Sequence, residues 1–170
     1  MPVNIEIKAR CRDAEKVRQQ LSTLGAEHQG TDHQVDTYFR VDSGRLKLRE
    51  GNIENNLIHY DRQNTAGPKR SDVTLYPSSK DPGLKKILSA IHGVLAVVDK
   101  ERDIYFIENV KFHVDVVKGL GSFVEIEAIG KNEDAAKLEA QCKDYIRQLE
   151  IPEENLVSVS YSDMILEQNT

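Results

Sequence analysis

Charged and polar residues recur at every second position in six short segments of the sequence. These residues are Glu6, Lys8 and Arg10; Arg45, Lys47 and Arg49; Tyr60 and Arg62; Lys100 and Arg102; Lys111, His113 and Asp115; and Glu125 and Glu127. Lysine and arginine hold phosphate oxygens in proteins, whereas aspartate and glutamate hold divalent cations. Brought together, the two kinds of side chain would bind a polyphosphate with its metal counter-ion.

A spacing of two residues places side chains on one face of a β-strand. The positions between the charged ones are mostly apolar, for example Val110, Phe112 and Val114. One interpretation is a two-layer α+β sheet whose charged face lies in water while helices cover the apolar face. The other is a closed or cupped sheet with the charges inside, where only a highly charged ligand can neutralise them. Periodicity alone does not distinguish the two.

The remaining patterns predict strands joined by short turns, with helices between some of them. Strands are expected over 3–10, 35–41, 45–50, 57–63 and 71–76, as two or three strands between 94 and 130, and briefly after 156. Helices are expected from an Asp13 cap to Leu24, from Asp81-Pro82 to Gly93, from an Asn132 cap to Pro152, and up to Leu166. Such strands pair antiparallel, and about eight of them close around a narrow interior. The expected fold class is α+β.

Composition narrows the classes of protein that the sequence can represent. A length of 170 residues favours one domain over 1–170. A net charge of −5 and a pI near 5.6 argue against a surface for nucleic acid. The sequence contains no membrane-length apolar run, signal-peptide pattern, Gly-x4-Gly-Lys loop or Gly-x-Gly-x-x-Gly fingerprint. Two cysteines are too few for a disulfide scaffold or a zinc cluster, so a cytoplasmic protein is expected.

Several segments together resemble the CYTH family, the triphosphate tunnel metalloenzymes that include class IV adenylyl cyclases and thiamine triphosphatases. The N-terminal Asn4-x-Glu6-x-Lys8 is similar to the Glu-x-Glu-x-Lys signature of that family. The other matching segments are Asp36-Thr37-Tyr38-Phe39, Gly44-Arg45-Leu46-Lys47-Leu48-Arg49-Glu50, Tyr60-x-Arg62, Lys100-x-Arg102, Val114-Asp115-x-Val117 and Leu120-Gly121-x-Phe123-Val124-Glu125-Ile126-Glu127. They cover nearly the whole chain, and the texture is most similar to the class IV cyclase-like proteins.

The resemblance implies an eight-stranded antiparallel β-barrel with helices outside, whose tunnel binds a triphosphate with Mg²⁺ or Mn²⁺. It implies that Glu6, Asp115, Glu125 and Glu127 bind the metal. It also implies that Lys8, Lys47, Arg49, Arg62, Lys100 and Arg102 hold the phosphate chain. Catalysis would fall to Glu6, Lys8 and Asp115. The implied partners are a small-molecule triphosphate such as ATP and, from the cyclase-like relatives, a second copy in a homodimer, with neither nucleic acid nor a membrane.

Two positions depart from the family pattern. Asn4 replaces the first glutamate of the signature and brings no negative charge, and Ser160 stands where some family phosphatases carry lysine. Three functions therefore stay open: cyclisation of ATP to cyclic AMP and pyrophosphate, hydrolysis of a triphosphate, and triphosphate binding without turnover. His113 lies on the same strand face as Asp115. It would act as a proton shuttle or, as is more common for such a histidine, as a structural hydrogen-bonding group.

Overall fold

Nine β-strands form one antiparallel sheet that closes into a ring in the computed structural model, which describes residues 3–62 and 64–170. The strands are β1 Val3–Arg10, β2 Glu27–Phe39, β3 Arg45–Glu50, β4 Asn55–Arg62, β5 Lys69–Pro77, β6 Val94–Ile107, β7 Val110–Val117, β8 Gly121–Gly130 and β9 Leu156–Val157. Their order around the ring is β1-β8-β7-β6-β2-β3-β4-β5, and β5 pairs back with β1. The predicted eight-stranded antiparallel closure is confirmed, and the two-residue β9 pairs with β1 beyond the end of β5.

Two helices cover the outside of this ring. The helices of the chain are α1 Ala14–Thr23, α2 Pro82–His92, α3 Ala135–Gln148 and α4 Tyr161–Gln168. In α1 and α3, Leu21 and Leu138 are buried in the same core as Phe112, which lies on the outward face of β7. The interpretation as a closed sheet with its charged faces inside and helices outside is thereby confirmed. Within residues 3–62 and 64–170, every helix is too short or too polar to cross a bilayer.

Helix α4 packs against one end of the ring interior. Its side chains join an apolar cluster contributed by the inward faces of five strands. The members are Tyr38, Ile58, Tyr60, Ala96, Val98, Val117 and Phe123 from the strands and Tyr161 and Met164 from α4. Most of these strand residues lie toward the end where β1 finishes and β8 begins. Because this cluster fills that end, the ring encloses a cavity with its mouth at the opposite end.

Some predicted element boundaries differ from the structure. β2 begins at Glu27, well before residue 35. The sequence did not predict its first half as a strand, because that half is polar on both faces and shows no apolar alternation. Asn132 does not cap α3: it lies in a short 3₁₀ turn before Ala135, and its Oδ1 accepts a hydrogen bond from Arg70 Nη1 at 2.5 Å. The Asp13 and Asp81 caps are confirmed. The predicted strand end at Gln63 lies outside the described residues.

Candidate active site

The interior of the ring holds a cavity of about 790 Å³, counting its open mouth. Seven cationic side chains and five carboxylates line it. The lining includes all six predicted phosphate-binding residues, Lys8, Lys47, Arg49, Arg62, Lys100 and Arg102, and three of the four predicted metal ligands, Glu6, Glu125 and Glu127. Cations outnumber carboxylates, so the cavity favours an anionic ligand.

Asp36 is the shared counter-ion of three of these cations in the free protein. Its carboxylate accepts both guanidinium bonds of Arg49 at 2.9 Å and the Lys100 ammonium at 2.7 Å, and Lys47 Nζ lies 3.6 Å away. Burial opposes its ionisation, yet Arg49 and Lys100 hold the pKa of Asp36 well below its usual range. Burial lowers the pKa of Lys100 to about 7. The sequence placed Asp36 in a family segment but gave it no role, and the structure puts it at the centre of the cationic group.

Asp115 lies behind the cavity wall, apart from the other carboxylates predicted to bind metal. Its two oxygens accept bonds from Arg102 Nε and Nη2, both at 2.8 Å, and Oδ2 also accepts the Tyr161 hydroxyl at 2.7 Å. The Asp115 side chain is fully buried. Asp115 lies two residues beyond His113 on β7, and its side chain contacts Arg102 and Tyr161 instead of the cavity. This arrangement fixes the direction of Arg102.

Lys8 is held between a carboxylate and an aromatic ring. Its ammonium lies 3.5 Å from Glu125 Oε2 and 3.9 Å from the centre of the Tyr161 ring. Burial lowers the pKa of Lys8 to about 8, against the opposing charge of Glu125. Tyr161 therefore orients both Lys8, through its ring, and Arg102, through Asp115. Sequence analysis missed this role of Tyr161, because both contacts join residues that are far apart in the chain.

On the wall formed by β7 and β8, His113, Glu125 and Glu127 bring one ligand atom each to within 4.8 Å of one another. His113 Nδ1 lies 3.0 Å from Glu125 Oε1, and burial lowers the pKa of His113 to about 4, so its ring is neutral. Burial and the nearby Glu6 raise the pKa of Glu127 to about 7. Glu6 itself faces Glu127 across the β1–β8 pair and forms an ion pair with Arg62.

The His113–Glu125–Glu127 group has the properties of a cation site. His113 donates its Nδ1–H to Glu125 as a hydrogen bond, which leaves Nε2 unprotonated, and within residues 3–62 and 64–170 this buried nitrogen has no hydrogen-bond partner. Burial, and after it the charge of Glu6, raises the pKa of Glu127, and a bound cation would favour its ionised form. Carboxylate oxygens suit Mg²⁺ and Mn²⁺, and an imidazole nitrogen also suits transition metals. The residues present therefore fit a divalent metal ion.

A second group missed by sequence analysis lies in the turn between β3 and β4. Glu54 projects from this turn into the cavity, where its carboxylate accepts hydrogen bonds from Lys111 Nζ at 2.6 Å and Arg49 Nη1 at 3.3 Å. Sequence analysis assigned residues 51–56 to neither a strand nor a helix and gave Glu54 no role. The buried Asp32 anchors the turn by accepting its backbone hydrogen bonds, a contact that the local sequence pattern does not contain.

One wall of the cavity is apolar. Ile58 and Tyr60 of β4 lie directly opposite Leu75 and Val73 of β5, and all four line the cavity. Leu75 is 53% exposed and stands near the mouth, since β5 ends at Pro77. A ligand that carries an apolar or aromatic group beyond its phosphates would have a surface for it here.

The ionised interior predicts an unusual dependence of stability on pH for the free protein. Glu127 holds its proton more tightly in the folded state, so its contribution is present below pH 4.5 and is lost as the pH rises to about 7. Lys100 and Lys8 have lowered pKa values of about 7 and 8, so their charged forms oppose folding at neutral pH and this penalty fades as the pH rises toward 10.5. Burial also lowers the pKa of His113 from 6.5 to about 4, so its contribution rises from pH 4 to 6.5 and offsets the fall from Glu127. Unfolding midpoints measured from pH 5 to 10 should therefore stay nearly level up to about pH 7 and rise above it.

The rise between pH 7 and 10 should be on the order of 3 kcal/mol or more, since one unit of pKa shift corresponds to about 1.4 kcal/mol. Glu127→Gln should remove the contribution that offsets His113, so its stability should already rise between pH 5 and 6.5. A stability profile of the wild type that falls above pH 7 would contradict the assigned ionisation states.

A closed antiparallel ring whose interior brings seven cationic side chains beside a carboxylate–histidine group defines a class of protein suited to hold a charged ligand inside its sheet. The CYTH domain matches residues 3–161, and the chain belongs to the CYTH domain family. That family consists of metal-dependent tunnel proteins that bind triphosphates and includes adenylyl cyclase-like proteins and triphosphatases.

Individual relatives agree with this assignment. A Methanocaldococcus jannaschii protein named "Putative adenylate cyclase MJ0240" is 26% identical over 95% of this chain and 98% of its own length. The PH1012 protein from Pyrococcus horikoshii is 26% identical, with a TM-score of 0.81 over 94% of this chain and 98% of that chain. HpAC1 from Hippeastrum, named a "putative adenylyl cyclase" with a dominant triphosphatase activity, shares the fold at 15% identity and a TM-score of 0.66, over 99% of this chain and 96% of that one.

Proposed function

We propose that this protein is a metal-dependent enzyme that acts on a triphosphate inside its ring, and that its reaction is the class IV cyclase type, from ATP to cyclic AMP and pyrophosphate. The observation that carries the proposal is the single cavity in which six phosphate-binding cations face the His113–Glu125–Glu127 group. The apolar wall of β4 and β5 supports a nucleoside triphosphate over an inorganic one, because a bare polyphosphate offers nothing for it to bind.

In this proposal the cations divide into two sets. Lys47, Arg49 and Lys100, which share Asp36, bind phosphate oxygens. Lys8 and Arg102, oriented by Tyr161 and Asp115, bind oxygens deeper in the cavity, and Arg62 binds beside Glu6. Such fixed cations stabilise charge that develops on the phosphates during transfer.

A divalent cation, Mg²⁺ or Mn²⁺, would be held by Glu125, Glu127 and His113, with Glu6 beside them. When bound, it would polarise the phosphate oxygens and lower the pKa of the attacking group. Lys8 keeps Glu125 ionised for this task, because its charge holds the pKa of Glu125 well below the usual range despite burial. Asp115, although predicted as a metal ligand and catalytic residue, is proposed to act as a positioning residue for Arg102.

Triphosphate hydrolysis is the second candidate, and the narrowness of the charged interior favours it, since the same cations could hold inorganic triphosphate without use of the apolar wall. The test is to incubate pure protein with ATP, inorganic triphosphate and thiamine triphosphate, each with Mg²⁺ and Mn²⁺, and to separate the products by chromatography. Cyclic AMP supports the cyclase, and orthophosphate release supports the hydrolase. Saturable binding without any product would leave a triphosphate-binding protein and refute an enzymatic role.

Asn4 offers a specific prediction about the metal site. Its Nδ2 donates to Glu127 Oε1 at 2.7 Å, so the side chain stands beside the proposed ligands without adding charge. Asn4→Glu should tighten Mn²⁺ binding by about tenfold, because an added carboxylate is a strong ligand for this class of cation. It should also destabilise the metal-free protein, since the new charge faces Glu127 and Glu6.

Isothermal titration with Mn²⁺ measures the first effect and thermal unfolding the second, with Asn4→Gln as the neutral control. Unchanged Mn²⁺ affinity in Asn4→Glu would show that position 4 does not reach the metal in this protein.

A further inference from the structure

We propose that Glu54 is a fixed counter-anion at the mouth of the cavity, which competes with the outer end of a bound polyphosphate for Lys111 and Arg49 and so limits the chain length that the cavity prefers. The inference rests on the proposed function, because it concerns the same cavity and the same class of ligand. It adds a specificity-determining residue outside the family segments found in the sequence.

The turn that carries Glu54 has a fixed shape. Asp32, which is fully buried, accepts the backbone N–H groups of Asn52 at 2.6 Å and Ile53 at 2.9 Å on Oδ1, and that of Glu54 at 2.9 Å on Oδ2. A Cβ atom on Gly51 would lie 2.7 Å from Asp32 Oδ1 and 2.6 Å from the Glu54 carbonyl oxygen, so the turn packs closely on this carboxylate. The backbone of Glu54 is therefore positioned independently of its own side chain.

Both carboxylate oxygens of Glu54 accept hydrogen bonds from side chains inside the ring. Oε2 accepts from Lys111 Nζ at 2.6 Å, and Oε1 accepts from Gln34 Nε2 at 3.0 Å and Arg49 Nη1 at 3.3 Å. The side chain is only 18% exposed. Burial opposes its charge, but Lys111 and Arg49 hold the pKa of Glu54 well below its usual range. Glu54 is thus a permanent anion at the place beside Lys111 that a phosphate group would otherwise take.

The position of the turn gives this anion its consequence. β3 ends and β4 begins at the end of the ring opposite the cluster around α4. Leu75 of β5, which lines the cavity and is 53% exposed, lies near this end, so the cavity opens here. A linear anion that enters must lie with one end toward Tyr161 and the other toward the turn. Each additional phosphate brings negative charge closer to Glu54, so a longer chain meets repulsion and must also displace Glu54 from Lys111.

The experiment measures binding of pyrophosphate, tripolyphosphate and tetrapolyphosphate by titration calorimetry in EDTA, without turnover. Glu54→Gln keeps the size of the side chain and removes its charge. We expect it to bind tetrapolyphosphate roughly tenfold more tightly than wild type, tripolyphosphate several-fold more tightly, and pyrophosphate within about twofold, as for the loss of one close charge repulsion. Glu50→Gln is the matched control, because Glu50 is the last residue of β3, just before the turn that carries Glu54, but pairs with Lys85 on the surface.

A second pair of variants tests the mechanism. In a Lys111→Met background, the gain from Glu54→Gln should be smaller than in wild type, because the direct repulsion is still removed but no lysine is released for the phosphate. Equal or weaker tetrapolyphosphate binding by Glu54→Gln, a gain equal for all three anions, or a gain undiminished without Lys111 would each overturn the proposal. Glu54→Ser provides a second neutral variant if Glu54→Gln does not fold.

The proposed function and this inference can fail separately. If wild type binds tripolyphosphate and Glu54→Gln does not improve on it, only the role of Glu54 is refuted. If wild type binds none of the anions while Glu54→Gln binds tetrapolyphosphate, the competition stands and triphosphate is not the natural ligand. If neither protein binds any of them, both proposals fall.

Discussion

Glu127→Gln should reduce turnover of the triphosphate substrate by about three orders of magnitude or more, because Lewis-acid stabilisation by a bound metal is worth several kcal/mol. Glu127 is the member of the His113–Glu125–Glu127 group whose charge is least compensated, since burial and Glu6 raise its pKa to about 7. The amide keeps the size and the hydrogen bond to Asn4 while removing the charge. The measurement is the rate of product formation with Mn²⁺, together with Mn²⁺ affinity by titration.

Glu101→Gln is the matched control for this experiment. Glu101 lies on β6 between Lys100 and Arg102, but its side chain is exposed and points away from the cavity. It removes the same charge and should leave turnover and Mn²⁺ affinity unchanged. Turnover retained in Glu127→Gln would remove this residue from the metal site and, with it, the main support for a metal-dependent reaction.

Asp36→Asn should lower the free energy of unfolding of the free protein by about 3–5 kcal/mol, the usual effect of removing one partner from a buried ion pair. The reason is that Arg49 and Lys100 would remain buried without their carboxylate, with Lys47 close by. Tripolyphosphate should restore much of this loss, since its oxygens can replace Asp36 as the counter-charge. The increase in unfolding temperature on adding tripolyphosphate should therefore be larger for Asp36→Asn than for wild type.

Asp99→Asn is the control, because Asp99 pairs only with His33 among the described contacts and at the surface. Its stability and its response to tripolyphosphate should match those of wild type. A stability loss below about 1 kcal/mol in Asp36→Asn, or a smaller response to tripolyphosphate than in wild type, would contradict the view that the ligand and Asp36 serve the same cations.

The sequence predicted the face on which each charged residue lies, and this was enough to assemble most of the site. Alternation put Lys47 and Arg49 on one face of β3 and Glu125 and Glu127 on one face of β8, and all four line the cavity. The inward direction of those faces did not follow from alternation. It follows from the pairing of β5 with β1, which closes the sheet between strands far apart in the chain.

The residues that sequence analysis missed act through contacts that local patterns do not contain. Glu54 enters the cavity because Asp32 accepts three backbone hydrogen bonds from a turn about twenty residues later. Tyr161 is the first residue of α4, but its hydroxyl donates a hydrogen bond to Asp115 on β7. The family resemblance implied that Asp115 is a metal ligand. In the structure it lies two residues beyond His113 on β7, where Arg102 and Tyr161 take its hydrogen bonds.

The pairing of β1 with β8 has a consequence for how the protein acquires its cavity. Glu6 lies opposite Glu127, and Lys8 stacks on Tyr161, so the contacts that complete the interior join the most distant parts of the described chain. Long sequence separation slows folding, because the entropy of closing the loop is lost before the contacts repay it. A nascent chain thus becomes competent to capture its anion only after residue 161 has left the ribosome. Ligand should then retard unfolding without accelerating the folding step.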